Sequence, residues 1–102
     1  MILEAAILTI KPGTNQEYEE AFQRAQEILP TVNGYISHQL QACIEKPERY
    51  VLLIWWETLE AHTIGFRGSP QYQEWSRLLH HFYEWPVEVL HYQLTAGNAL
   101  DK

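Results

Sequence analysis

Tyr50-Val51-Leu52-Leu53-Ile54-Trp55-Trp56 is the stretch that decides the fold. It carries no charge and is apolar at both parities, which marks a strand with neither face left to water. Successive side chains of a strand point to opposite faces, so Trp55 and Trp56 look in opposite directions. Burying one indole is worth several kcal/mol, at about 25 cal/mol per Å² over about 200 Å². Each side of the sheet therefore needs a cover.

The neighbouring segments supply one. Downstream, Thr58 is an N-cap for a short helix through Phe66, and Gly65 and Gly68 loosen the chain after it. Ser69-Pro70 restarts a helix, with Ser as the cap and Pro at the first helical position. Tyr72, Trp75, Leu78, Leu79 and Phe82 recur at helical spacing and form its buried stripe. Pro86 ends this piece; Val87 to Leu94 reads as a last strand and 95–102 as a tail. Upstream, the polar run Glu45 to Arg49 connects to a strand over Tyr35 to Ala42. Its Gln39 and Gln41 give it the wet face of an edge strand. Asn33-Gly34 turns the chain before it. A helix precedes that turn, with Thr14 and Glu17 as a capping box, a stripe of Tyr18, Phe22, Ala25, Ile28 and Leu29, and Pro30 at its end. Ile2 to Ile10 is the first strand, stopped at Lys11-Pro12-Gly13.

The order is β-α-β-β-α-β, which predicts an α+β, ferredoxin-like domain with a four-stranded antiparallel sheet. Right-handed crossovers put both helices on one face. The second face, with Trp55, is best covered by another copy of the same sheet, so a homodimer through the sheet face is expected.

At 102 residues the chain has the length of one domain, 1–102, with its core at about 2–94. Its net charge of -6 and scattered Lys and Arg argue against nucleic acid or an anionic membrane as partner. Cys43 is alone, which excludes an intrachain disulfide and a Cys-based zinc site. The first residues lack the basic segment of a secretory signal, and no run reaches the ~20 apolar residues of a membrane span. A cytoplasmic location is expected. Aromatics make up 13% of the chain, more ring surface than so small a core needs, and point to an aromatic-lined pocket or interface.

Trp56-Glu57-Thr58-Leu59-Glu60-Ala61-His62, followed by Ser69-Pro70, resembles the strand-to-helix signature of the antibiotic biosynthesis monooxygenase (ABM) domain. Lys11-Pro12-Gly13 and Asn33-Gly34-Tyr35 fit the same pattern, and the resemblance spans roughly 2–94. It implies a dimeric α+β barrel with a cavity between sheet and helices. It also implies cofactor-independent oxidation, by O₂, of a small aromatic, quinol or polyketide-like molecule. In an aromatic-oxidising member the strand-end Trp lines the cavity, and Trp56 matches it. A Tyr six residues on, an Asn four residues before and an Arg in the second helix fall at His62, Leu52 and about Ser76, with Arg77 next to it. The residues of haem-degrading members fall at Ala6, Gly65 and Ser76, so haem is not expected, nor any other cofactor or metal.

Within this frame His62 is the acid-base candidate. An imidazole titrates near neutrality and can take a phenolic proton, which enriches the ring for reaction with O₂. The structural alternative is a helix-start His bonded to water or a carbonyl. Trp56 would stack on a flat substrate or simply fill the core. Leu52, Phe66, Tyr72, Trp75, Ser76 and Leu79 are the expected substrate-binding wall, although helical spacing gives the same stripe to an ordinary core. Whether His38, His80, His81 or His91 reach the pocket is left open. A non-catalytic dimeric module that binds a hydrophobic ligand, or serves a stress response, is the alternative function.

Overall fold

In a computed structural model, which describes residues 1–97, four strands form one antiparallel sheet in the order β2-β3-β1-β4. They are β1 (Ile2–Thr9), β2 (Tyr35–Ala42), β3 (Arg49–Trp56) and β4 (Glu88–Tyr92). Helices α1 (Asn15–Ala25) and α2 (Pro70–Leu79) make the two crossovers, which gives the α+β, ferredoxin-like architecture expected from the sequence.

Burial along the central strands follows the two-residue period. Ala6 and Leu8 of β1 and Tyr50, Leu52, Ile54 and Trp56 of β3 lie in the core with Phe22, Trp75 and Leu79 of the helices. Leu3, Ala5, Ile7, Val51, Leu53 and Trp55 alternate with them and are only half-buried. Trp56 is fully buried, and Trp55 faces the other way, as the strand's alternation requires. The register places four inward residues in one row across the sheet. His38 of β2 pairs with Ile54, Ile54 with Glu4, and Glu4 with His91 of β4.

Ser69 caps α2 as expected, accepting the Tyr72 amide at 3.2 Å, with Pro70 at the first position. The capping box of α1 does not form. Thr14 has φ -109° and ψ 14° rather than an extended backbone, and its hydroxyl donates back to the Lys11 carbonyl at 2.7 Å. Helix α1 also ends earlier than its apolar stripe suggests, at Ala25, and continues as a 3-10 turn over Gln26–Thr31. Pro30 supplies no amide to carry the α pattern through this stretch. Strand β1 stops at Thr9, with Ile10 in a single bridge to Tyr83, and β4 is shorter at both ends than Val87 to Leu94. The tail expected over 95–102 lies mostly outside the described residues.

Candidate functional site

The site grows from the junction after β3. Thr58 accepts the Ala61 amide at 3.1 Å and starts a turn over Ala61–Phe66. That turn is a π-helix: the Arg67 amide donates to the His62 carbonyl, five residues back, at 3.1 Å. Such wide turns are uncommon and cluster at functional sites. The Gly34 turn braces it from below. Its carbonyl accepts the Glu57 amide at 2.7 Å, its φ is +86°, and a Cβ there would stand 2.5 Å from the Ala61 Cβ. Only glycine suits that position. The result lays the His62 imidazole on the Trp56 indole, with ring centres 5.5 Å apart and planes 16° from parallel.

Glu4 lies beside this stack, 6% exposed. The indole Nε1 of Trp56 donates to Glu4 Oε1 at 2.9 Å, and His62 Nε2 stands 3.4 Å from the same oxygen. The other ring nitrogen of His62, Nδ1, is 2.8 Å from Nε2 of His91. Burial pushes the Glu4 carboxyl up to about 7, against the weaker opposing pull of the Trp56 hydrogen bond and the Arg67 charge. Burial also brings His62 down to about 3, helped by the positive field of Arg67 and by His91. His91 is lowered as well, by partial burial and then by Arg67. In mildly acidic solution the proton of this pair therefore rests on the carboxyl, and the imidazole is neutral.

Glu4 and His62 form one end of a cavity of about 370 Å³ between the sheet and α2. Leu52 and Ile54 of β3 floor it, Phe66, Tyr72 and Trp75 wall it, and His80, Tyr83 and Trp85 close the far end. Of the expected wall, Leu52, Phe66, Tyr72 and Trp75 line this space. Trp56 does not line it but underlies His62. Ser76 is turned to His80, at 3.5 Å, and Leu79 is fully buried in the core; neither lines the cavity. The remaining histidines separate cleanly. His91 joins His62, and His80 lines the cavity against Trp85. His38 sits outside it, between the Tyr35 hydroxyl at 2.6 Å and Gln26 Oε1 at 2.8 Å, and His81 is exposed. Among the described residues no three His, Cys, Asp or Glu side chains are grouped to hold a metal.

Sequence reasoning missed Glu4, Arg67, Tyr83 and Trp85. For Glu4 a signal existed: it shares strand parity with Ala6 and Leu8, so a carboxylate stood on the inward face of an apolar strand. Lone carboxylates are rarely buried without a task or a partner.

The chain matches the family model described as antibiotic biosynthesis monooxygenase over residues 1–78, a span that stops before β4. An uncharacterized Bacillus subtilis (strain 168) protein, YczJ, is 53% identical over 93 residues, which cover 91% of this chain and 98% of that protein. The crystal structure of a candidate antibiotic biosynthesis monooxygenase from Bordetella bronchiseptica is 32% identical with a TM-score of 0.89, covering 93% of this chain and 97% of that one. SnoaB of Streptomyces nogalater, a cofactor-independent oxygenase, shares the fold at 18% identity and a TM-score of 0.80, with 94% of each chain covered. Among the described residues no helix is long and apolar enough to cross a membrane. From the family match and the strand-end Trp-Glu-Thr junction that carries the site, this chain belongs to the antibiotic biosynthesis monooxygenase family.

Proposed function

We propose that the protein is a cofactor-independent monooxygenase acting on a small hydroxylated aromatic, of the phenol, quinol or polyketide-like class. The observation that carries this reading is a buried acid-base pair, Glu4 and His62, at the end of an aromatic-walled cavity. Loss of the hydroxyl proton raises electron density on the ring carbon, which then reacts with O₂ directly. For a hydroquinone the balance is one quinol plus O₂ to one hydroxyquinone plus water. The substrate loses four electrons, dioxygen gains four, one oxygen atom enters the ring and the other leaves as water. In this scheme His62 governs the proton and Trp56 holds the imidazole plane in place. Phe66, Tyr72 and Trp75 stack around the substrate ring.

The test is oxygen uptake with 1,4-naphthohydroquinone and ¹⁸O₂. Expected are a rate above the protein-free background and one ¹⁸O atom in the hydroxyquinone. His62→Ala should lower turnover by about 100-fold, the ordinary worth of a positioned acid-base group. Trp56→Phe should lower it less. Unchanged rates in both variants would remove these roles. Tight binding of the naphthohydroquinone without label incorporation would leave the cavity as a hydrophobic-ligand site.

The same reading includes a homodimer. Leu3, Ile7, Leu53 and Trp55 share the second sheet face with Leu90, 44% exposed, and Tyr92, 52% exposed. A two-fold copy of that face would bury a continuous apolar patch. Sedimentation velocity should give twice the 12.0 kDa chain mass. Leu90→Arg should return it to the monomer.

A further inference from the structure

His62 has two ring nitrogens, and each faces a titratable side chain. Nε2 stands 3.4 Å from Glu4 Oε1, and Nδ1 is 2.8 Å from His91 Nε2. The imidazole therefore stands between two groups that can exchange a proton with it, and of those two Glu4 is the one that lines the cavity. Both of its contacts use Oε1, and no described buried side-chain oxygen is left without a partner. Oε2, which takes neither contact, is consequently open to the cavity that Glu4 lines.

We infer that Glu4 is the catalytic residue that exchanges the substrate's hydroxyl proton, and that His62 and His91 relay that proton between the cavity and bulk solvent. This rests on the oxygenase reading above and assigns the groups within it. The three side chains come from β1, the π turn and β4, and they form one line from the buried acid to a partly exposed imidazole. The steps balance. The substrate O–H bond breaks and its proton binds Glu4 Oε2. A proton leaves the Glu4 carboxyl for His62 Nε2, across a contact that must shorten as catalytic contacts do on substrate binding. Nδ1–H of His62 passes its proton to His91 Nε2, and His91 releases one from Nδ1 to water. The reaction returns a proton to oxygen when water forms, so the line runs once each way and ends in the tautomers with which it began. Among the described residues, Arg67, at the end of the π turn, is the charged side chain whose field reaches all three members. With Glu4 titrating near neutrality, the carboxyl can both accept and return the proton at ordinary pH.

The experiment compares Glu4→Gln and His91→Gln in steady-state oxygen uptake with 1,4-naphthohydroquinone. Glu4→Gln keeps the acceptor for Trp56 and should lower kcat by about 100-fold or more with KM changed less than about threefold. His91→Gln should lower kcat about tenfold, and imidazole in the buffer should restore it, because the lost group is the one at the surface. A Glu4→Gln enzyme with wild-type kcat, or a His91→Gln enzyme untouched in rate, overturns the relay. If wild-type protein turns over no quinol, the oxygenase reading fails, and the line is tested without it. Imidazole ¹⁵N resonances of His62 and His91 should then move together as pH passes the titration of Glu4, and not in Glu4→Gln. Independent or absent shifts in the wild type overturn the relay by themselves.

Discussion

The inward row His38–Ile54–Glu4–His91 sets two halves of the molecule side by side. Each half has a histidine on its outer strand, opposite a residue of a central strand, on the face the helices cover. In the β2-β3 half that central residue is Ile54, and His38 is tied to a tyrosine and a glutamine, a structural bond pattern. In the β1-β4 half it is Glu4, and His91 is tied to a second histidine that stands by the acid. One carboxylate separates the two. The apolar half packs its histidine, while the acidic half has a titratable line ending in a cavity. Position in the fold is shared, and the chemistry follows from what the neighbouring strand contributes.

Making the halves alike should have the largest effect. Glu4→Ile, which copies the Ile54 half, is expected to lower quinol-dependent oxygen uptake by at least about 100-fold, whereas His38→Gln should leave it within about twofold. The oxygen electrode reads both.

The acid should next show itself in stability. The Glu4 carboxyl is raised from its ordinary 4.5 to about 7 in the folded protein. The fold therefore favours the protonated form, and stability falls as pH rises from about 4.5 through about 7. By pH 8.5 the full cost, about 3 kcal/mol, is present. Glu4→Gln should be more stable than wild type by about that amount at pH 8.5 and nearly equal to it at pH 4, measured by urea unfolding at both pH values.

Trp56→Phe sharpens the contrast from the other side. It keeps a ring under His62 but deletes the N–H that Glu4 accepts. A loss of about 1–3 kcal/mol is expected from the unmet acceptor and smaller ring. The Glu4 titration should move further up, because the indole bond now holds it down. The smallest effect belongs to the structural half: His38→Gln should cost about 1 kcal/mol or less.

Much of the fold was legible because it depends on local signals. Adjacent indoles at the end of β3 announced a two-faced sheet, and Ser69-Pro70 announced the start of α2. Thr14 was less legible, because its hydroxyl chooses between an amide ahead and a carbonyl behind, and the backbone angle decides. His62 and Trp56 were readable as a pair since one junction carries both. Glu4 was the least legible of the site residues. Its meaning depends on the register of β1 against β4, strands from opposite ends of the sequence, and local pattern does not encode that pairing. Ser76 was misplaced for a smaller reason: on α2 it shares a face with His80 rather than with the cavity wall.

Strand β4 is five residues long, lies at the margin of the sheet and holds His91. Short marginal strands open locally at free energies well below that of global unfolding. Trp56, Phe22 and Leu79 belong to β3, α1 and α2, so opening confined to β4 removes His91 from the line while those three elements stay in place. Heating or mild urea should therefore silence turnover before near-ultraviolet dichroism reports any loss of packing. Amide exchange at His91 should track the silencing rather than the melt.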